Sequence, residues 1–188
     1  MAWRPESAGL SWRLGVSGSR DHSHPVLEEG DLRVRPSCEA DLDLLAGWFS
    51  HPDVVPWWGG RALTREEVAA KYTGRRCPQV ESFIVEVSRQ PSGYIQYHLE
   101  GPGDAGLDMM LMPEFRGQGL GPKAARLLVR HLRDDRGWTD ITVDPAVSNV
   151  RAIHAWEKAG FIREREWPDH PGEPALLMRL RAGHEPSA

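Results

Sequence analysis

The sequence feature that most limits the possible fold is a glycine-rich turn at residues 116–121, with the letters RGQGLG. It lies between an apolar run at 107–112 and a long amphipathic segment that begins near Pro122, so the pattern predicts a turn from a strand into a helix. Glycines let the backbone approach a ligand closely, and the N-terminus of a helix favours anions. The turn therefore predicts a phosphate site, although a glycine-rich turn without a ligand would have similar letters.

Composition excludes several other classes of protein. A chain of 188 residues with 23 Lys and Arg against 27 Asp and Glu fits one domain without the basic footprint of a nucleic-acid binder. It contains no run of about 18 apolar residues and no N-terminal signal pattern, which predicts a cytoplasmic protein without a membrane partner. Cys38 and Cys77 are too few for a disulfide framework or a zinc site, so no metal is expected.

Residues 1–29 are rich in Gly, Ser, Arg and His without any sustained hydrophobic period, which predicts a flexible N-terminal extension. The folded domain is expected at residues 30–182, followed by a polar tail at 183–188. Within the domain, strands are expected at 31–35, 80–88, 93–100, 106–112, 139–143, 161–166 and 175–181.

Helices are predicted between these strands from hydrophobic spacing and capping residues. Ser37 is expected to cap a helix over 39–50, and Thr64 with Glu67 forms a capping box for a helix that ends near Tyr72. Further helices are expected at 122–135 and from Ser148 or Asn149 to about residue 158. Strands that alternate with helices, with hairpins towards both ends, predict a mixed α/β domain around a central sheet.

Two stretches carry side chains that could bind a ligand. Trp57 and Trp58 are adjacent in a loop with two glycines, where they either plug the edge of the core or form a wall for a ring-shaped or cationic ligand. Tyr94, Gln96 and His98 share the polar face of one strand, which could line a cleft. His98 by itself is more often a structural residue than a catalytic one.

Asp108 stands out because it lies inside an otherwise apolar strand. A strand interior disfavours Asp, and an unpaired buried carboxylate is costly. Either a function or a paired partner has to explain this residue.

A second stretch about thirty residues later, NVRAIHAWEKAGF at 149–161, makes the interpretation of the glycine-rich turn more specific. Together the two stretches resemble the acetyl-CoA signatures of the GNAT superfamily of N-acetyltransferases, and the resemblance covers about residues 31–181. It implies a single-domain GNAT fold, with a mixed central sheet, flanking helices, a splayed cleft and acetyl-CoA as cosubstrate. In that family the glycine loop holds the pyrophosphate of coenzyme A, and the preceding strand binds the pantetheine arm. The residues implied for the cofactor are Met110, Leu111, Met112, Arg116, Gly117, Gln118, Gly119, Leu120, Gly121, Lys123, Asn149, Ala152 and Trp156.

Within the superfamily the chain is most similar to bacterial aminoglycoside 6'-N-acetyltransferases. The likeness rests on the stretches VPWWGG at 55–60, GYIQ at 93–96, GLD at 106–108 and TVDPAVSNVRAI at 142–153. It implies an aminoglycoside substrate, with Asp108 as general base or amine anchor and Asp144 as a ligand of substrate ammonium groups. The residues implied for the substrate are Trp57, Trp58, Tyr94, Gln96, Asp108 and Asp144.

The chemistry of acetyl transfer is consistent with these assignments. A thioester passes its acetyl group to an amine that is deprotonated and held near the carbonyl, so direct transfer needs no covalent enzyme intermediate. Trp156 stands where many relatives have a tyrosine acid, and an indole cannot replace a phenol as a proton donor. Coenzyme A then leaves as a thiolate stabilised by helix dipoles and water, or Tyr94 or Tyr97 supplies the proton.

Two other functions stay open from the sequence. The acceptor could be another small amine, such as a siderophore precursor or a polyamine. The third hypothesis is a protein that binds coenzyme A or an aminoglycoside without catalysis. In each case the partner is a small molecule, and the protein is expected to be a monomer or a homodimer.

Overall fold

The computed structural model describes residues 25–170 and 173–180. Most of the predicted extension at 1–29 and the whole predicted tail at 183–188 lie outside these residues. The strand Leu27–Glu29 (β1) pairs in antiparallel fashion with Leu32–Pro36 (β2), through contacts such as Leu27 opposite Val34. The sheet therefore begins before the predicted domain boundary at residue 30.

The described strands form one eight-stranded mixed sheet in the order β1-β2-β3-β4-β5-β6-β8-β7. Its neighbours pair in antiparallel fashion except for β5 and β6, which are parallel. The remaining strands are β3 Val80–Val87, β4 Gln90–Gly101, β5 Asp104–Leu111, β6 Asp140–Val143, β7 Phe161–Trp167 and β8 Ala175–Leu180. The predicted mixed α/β architecture is confirmed.

Four α-helices accompany the sheet in the described residues: α1 Leu42–Phe49, α2 Arg65–Tyr72, α3 Leu120–Asp134 and α4 Val150–Ala159. None of them combines the length and the apolar content that a membrane crossing needs. The capping box of Thr64 and Glu67 is present at α2, and the side chain of Asn149 caps α4.

One prediction about a helix start is wrong, and another differs from the structure by two residues. Ser37 does not cap a helix, because its hydroxyl donates to the carbonyl of Tyr72 at 2.6 Å and a 3₁₀ turn at Glu39–Asp41 precedes α1. Helix α3 begins at Leu120, two residues before the predicted start, because Gly119 already adopts the turn conformation before it.

The sheet separates two hydrophobic layers, and the alternation along β4 decides which residue joins which layer. Ile95 and Tyr97 pack in the layer that contains α3 and α4, whereas Tyr94 packs in the layer with α1 and α2. The predicted division of β4 into two faces is therefore confirmed. It places Gln96 and His98 on the same face as Tyr94.

The sheet opens between β5 and β6. Their parallel pairing covers only residues 104–106 of β5 and 140–142 of β6. Beyond Gly106 strand β5 continues to Leu111 beside β4 alone. Residues 107–111 thus present one backbone edge to a wedge-shaped gap, where a ligand can use hydrogen-bonding groups that no strand occupies.

Candidate active site

A cleft with a volume of about 580 Å³ occupies the gap between β5 and β6. Its walls come from β5, the glycine-rich turn and the start of α3 on one side, and from residues 144–146 and α4 on the other. Trp57 and Trp58, from the loop at residues 55–60 (the tryptophan loop), also line it. The predicted site residues that line it are Trp57, Trp58, Asp108, Met110, Leu111, Arg116, Gly117, Gly119, Leu120, Gly121, Asp144, Asn149, Ala152 and Trp156.

Five predicted site residues lie outside the lining of the cleft. Tyr94 and Gln96 are buried in the protein, Tyr94 completely, because their face of β4 is covered by α1 and α2. Met112 is buried in the same layer. Gln118 is exposed and donates to the carbonyl of Glu114 at 2.9 Å, and Lys123 is exposed on α3.

The lining also contains residues that the sequence reasoning missed. Arg151, His154, Ala155 and Lys158 recur along one side of α4, a helical spacing that could have revealed a wall of the cleft. Pro145 and Ala146 lie just beyond β6, after Asp144, and Pro122 lies in the first turn of α3. The other missed residues are Asp53, Val54, Leu107, Met109 and Val150.

Backbone geometry dominates the end of the cleft at the glycine-rich turn. Gly117 and Gly119 have φ angles of 77° and 75°, in the left-handed region that residues with a Cβ rarely adopt. Gly121 packs closely on β5, since a Cβ there would lie 3.1 Å from Cε of Met109. The turn leads into the 15-residue helix α3, whose first N–H groups have no partner within the helix. This end can therefore hold an anion.

Arg116 connects the turn to the strand before it. Its Nε donates to the carbonyl of Leu111 at 2.8 Å, and its guanidinium lies 3.9 Å from the Asp53 carboxylate. Burial and the nearby charge of Arg151 lower the pKa of Arg116 from its usual range. The side chain thus anchors the turn to the end of β5.

Helix α4 supplies the opposite wall. The side chain of Asn149 accepts from the N–H of Ala152 at 3.1 Å and so fixes the first turn of the helix. Trp156 is buried and packs edge-on against Phe161, with ring centres 5.3 Å apart. Among the described residues that line the cleft there is no tyrosine, so no phenol stands where Trp156 lies.

The other end of the cleft is built around the buried Asp108. Ser82, Gln96 and Asp108 lie opposite one another on β3, β4 and β5, so the register of the sheet brings them into one row. Gln96 donates from Nε2 to Oδ2 of Asp108 at 2.6 Å, and its Oε1 accepts from the hydroxyl of Tyr94 at 2.7 Å. The Tyr94 oxygen also lies 2.6 Å from Oγ of Ser82. Gln96 therefore orients the carboxylate of Asp108, and Tyr94 in turn holds the amide of Gln96.

One oxygen of Asp108 is different. Its Oδ1 is buried and has no hydrogen-bond partner among the described residues. An orphaned carboxylate oxygen is costly in a protein interior unless a ligand or water completes it. Because Asp108 also lines the cleft, this oxygen marks a position for a donor on a ligand.

Asp144 forms the second acidic group of this end. Nε2 of His170, from the connection between β7 and β8, lies 3.1 Å from its Oδ2. Burial, followed by the charge of Asp108, raises the pKa of Asp144. His170 was missed in the sequence because the connection between two strands carries no periodic signal.

The tryptophan loop packs on the edge of the core and also lines the cleft. Trp58 is buried and donates from its indole N–H to the hydroxyl of Tyr72 at 2.9 Å, within a cluster of rings that includes Phe49. Burial raises the pKa of Tyr72 to about 12, so this hydroxyl stays a neutral partner. Trp57 and Trp58 both also line the cleft.

The residues present fit an extended anionic ligand with a flexible arm. The free edge at 107–111 can pair with polar groups of such an arm, and the left-handed glycines before α3 can present backbone N–H groups to a phosphate. The two carboxylates at the far end fit a cation instead. The cleft can therefore hold two ligands of opposite charge that meet near Asp108.

Comparison with known proteins identifies the family of this chain. Residues 37–168 match the family model of the acetyltransferase (GNAT) domain. An aminoglycoside N(6')-acetyltransferase type 1 from Klebsiella pneumoniae is 32% identical over 190 residues, which cover 92% of this chain and 93% of the relative.

Solved structures agree with the sequence match. AAC(6')-Ib in complex with paromomycin and acetyl-CoA has a TM-score of 0.74 and 33% identity, covering 81% of this chain and 94% of that one. The same enzyme with coenzyme A and kanamycin has a TM-score of 0.72 and 32% identity, covering 80% of this chain and 95% of the other. The predicted fold and superfamily are confirmed, and the chain belongs to the GNAT family of acetyltransferases.

Proposed function

We propose that this protein transfers the acetyl group of acetyl-CoA to the 6'-amino group of an aminoglycoside. The observation that carries the proposal is the unpartnered Oδ1 of Asp108, which lies in the same cleft as the glycine-rich turn. Asp144 adds a second carboxylate for a substrate with several ammonium groups. The similarity to aminoglycoside 6'-N-acetyltransferases over most of the chain supports the choice of substrate.

The proposed reaction is a direct transfer. Asp108 receives a proton from the acceptor ammonium, either directly or through a water, and the free amine attacks the thioester carbonyl. The new C–N bond forms as the C–S bond breaks, coenzyme A leaves as a thiolate, and the nitrogen loses its remaining extra proton to water to give the amide. Neither cysteine lines the cleft, so no acetylated cysteine is part of the proposal.

Protonation of the thiolate requires a source other than a tyrosine. Tyr94 and Tyr97 were possible donors from the sequence, but both are fully buried and outside the cleft, and burial raises the pKa of each. Trp156 offers only an indole N–H. We therefore assign no side chain to this step and propose that the thiolate is released to water near the N-terminus of a helix.

For the cofactor, we propose that Gly117, Gly119 and the start of α3 hold the pyrophosphate and that residues 107–111 bind the pantetheine arm. Arg116 then acts by holding the turn to β5. For the acceptor, we propose contacts with Asp108, Asp144, Trp57 and Trp58. Gln96 and Tyr94 support Asp108 rather than touch the substrate.

The test is turnover of acetyl-CoA, measured as thiol release, with kanamycin and tobramycin as acceptors. We expect acetylation at the 6'-nitrogen, identified by NMR of the product. An aminoglycoside with a hydroxyl in place of the 6'-amine is the matched control and should not be acetylated. Spermidine and lysine tested in parallel distinguish another small-amine acceptor. Turnover with those amines and none with 6'-amino aminoglycosides would overturn the proposal.

A further inference from the structure

His98 lines a second, smaller cavity of about 200 Å³, which shares Asp144 with the cleft. It sits on β4 opposite Gly106 of β5, two residues before Asp108. The strand leaves room for it only because residue 106 is a glycine, since a Cβ there would lie 2.3 Å from Nε2 of the imidazole. This close packing limits where the ring can lie.

The imidazole lies between two carboxylates. Its Nδ1 is 3.7 Å from Oδ2 of Asp108, and its Nε2 is 3.4 Å from Oε1 of Glu100. Gln96 donates to the same Oδ2 of Asp108. His98 and Gln96 therefore both approach Oδ2 of Asp108, whereas Oδ1 has no hydrogen-bond partner among the described residues.

The other charged groups around this cavity come from every strand beside it. Asp104 is on β5, Asp140 on β6, Arg165 on β7 and Arg179 on β8, while Asp144 directly follows β6. Arg179 is itself paired with Asp140 and with Glu164. His170 is directed to Asp144. The groups nearest to His98 are thus negative, and the arginines have carboxylate partners or lie on more distant strands.

We propose, on the basis of the proposed function, that His98 is a positioning residue whose imidazolium, together with Gln96, holds Oδ2 of Asp108 and leaves Oδ1 for the acceptor amine. The positive charge beside Oδ2 attracts the carboxylate of Asp108 and, together with the hydrogen bond from Gln96, fixes which oxygen is left for the acceptor. The inference deepens the role of Asp108 and assigns no substrate contact to His98.

The electrostatic surroundings support this role. Burial by itself would lower the pKa of His98, but the neighbouring Asp108 and Glu100 outweigh it and raise the pKa to about 10. The ring is therefore positively charged at pH 8. A histidine that merely filled space would have no need of a carboxylate on each side.

The first test compares pH profiles of wild type and His98→Gln, which keeps the size and removes the charge. We expect kcat at pH 7 to fall about 10-fold and the acidic limb of kcat/KM to move to higher pH by about one unit, with the KM for acetyl-CoA unchanged. His131→Gln makes the same change on α3, away from the cleft, and should retain the wild-type profile. An acidic limb that stays in place in His98→Gln, or an equal loss at every pH, would overturn the proposal.

The second test needs no substrate, so it separates this inference from the proposed function. The ¹⁵N shifts of the His98 ring are followed by NMR against pH in wild type and in Asp108→Asn. We expect the ring to stay doubly protonated at pH 8 in wild type and to titrate at lower pH in Asp108→Asn. The same titration in both proteins would overturn the inference. Absence of turnover in wild type alone would count against the proposed function only.

Discussion

The two ends of the cleft are built from different parts of the chain. The end at the glycine-rich turn consists mainly of backbone: left-handed glycines, a free strand edge and the start of a helix. The end at Asp108 consists of side chains joined across β3, β4 and β5. Backbone groups suit the cofactor, which is the same in every reaction. The side-chain network around Asp108 can instead be altered residue by residue to suit an acceptor.

This difference predicts that substitutions at the two ends affect different constants. Changes in the glycine-rich turn should alter acetyl-CoA binding, and changes around Asp108 should alter turnover. The first three experiments below test this division and the fourth tests the charge beside Asp108, in order from the largest expected effect to the smallest.

Asp108→Asn should have the largest effect. The amide preserves the shape of the side chain but cannot receive a proton, so we expect kcat to fall about 100-fold or more. The Kd of acetyl-CoA, measured by calorimetry, should stay within about twofold of wild type because Asp108 lies at the acceptor end. Unchanged turnover would remove Asp108 from the reaction, and a large loss of cofactor affinity would break the division between the two ends.

Gly119→Val should weaken acetyl-CoA binding about 10-fold, since a β-branched residue at a φ of 75° strains the turn by about 1–3 kcal/mol. Gly137→Val is the matched control. Gly137 has a φ of 70° and, like Gly119, nothing within 4 Å of a built Cβ, but it lies beyond the far end of α3. Both variants should lose similar stability in thermal unfolding, and only Gly119→Val should change the Kd of the cofactor. Equal cofactor affinity in the two variants would contradict the phosphate site.

Gln96→Leu should reduce kcat about 10-fold, because it removes a charge-assisted hydrogen bond that orients Asp108. Acetyl-CoA affinity should stay the same. Gln90→Leu alters an exposed glutamine at the start of the same strand and should leave kcat at the wild-type value. Steady-state kinetics of both variants would show whether Gln96 acts by orienting Asp108, and a KM effect without a kcat effect would argue for substrate contact instead.

The smallest expected effect concerns stability and pH. The pKa of His98 is raised from 6.5 to about 10, so its contribution is fully present below pH 6.5 and is lost as the pH rises towards 10. We expect the difference in unfolding free energy between wild type and His98→Gln to shrink by about 1 kcal/mol over this range, after allowance for solvent screening. Urea unfolding at pH 6, 8 and 10 measures it.

A matched pair of variants completes this test. In an Asp108→Asn background the same histidine substitution should show a smaller dependence on pH, because one of the two carboxylates has lost its charge. A difference that grows with pH in the wild-type background would contradict the assigned ion pair.

Local features of the fold were predictable from the sequence because their causes are local. The capping box at Thr64 and the cap at Asn149 depend on residues within one turn of a helix. The left-handed backbone of the turn likewise has a local cause, because glycine lacks a Cβ and adopts positive φ angles easily. Ser37 shows the limit of such reasoning, because a distant partner, the carbonyl of Tyr72, binds its hydroxyl.

The sequence by itself determined the mixed α/β class, the turn before α3 and the oddity of a carboxylate in an apolar strand, because each depends on residue type and short spacing. Only the tertiary structure decided what surrounds Asp108. The register of β4 and β5 places Gln96 opposite Asp108 and His98 opposite Gly106, and His170 reaches Asp144 from the connection between β7 and β8. Register and loop position depend on the packing of the whole sheet, so no short stretch of sequence specifies them.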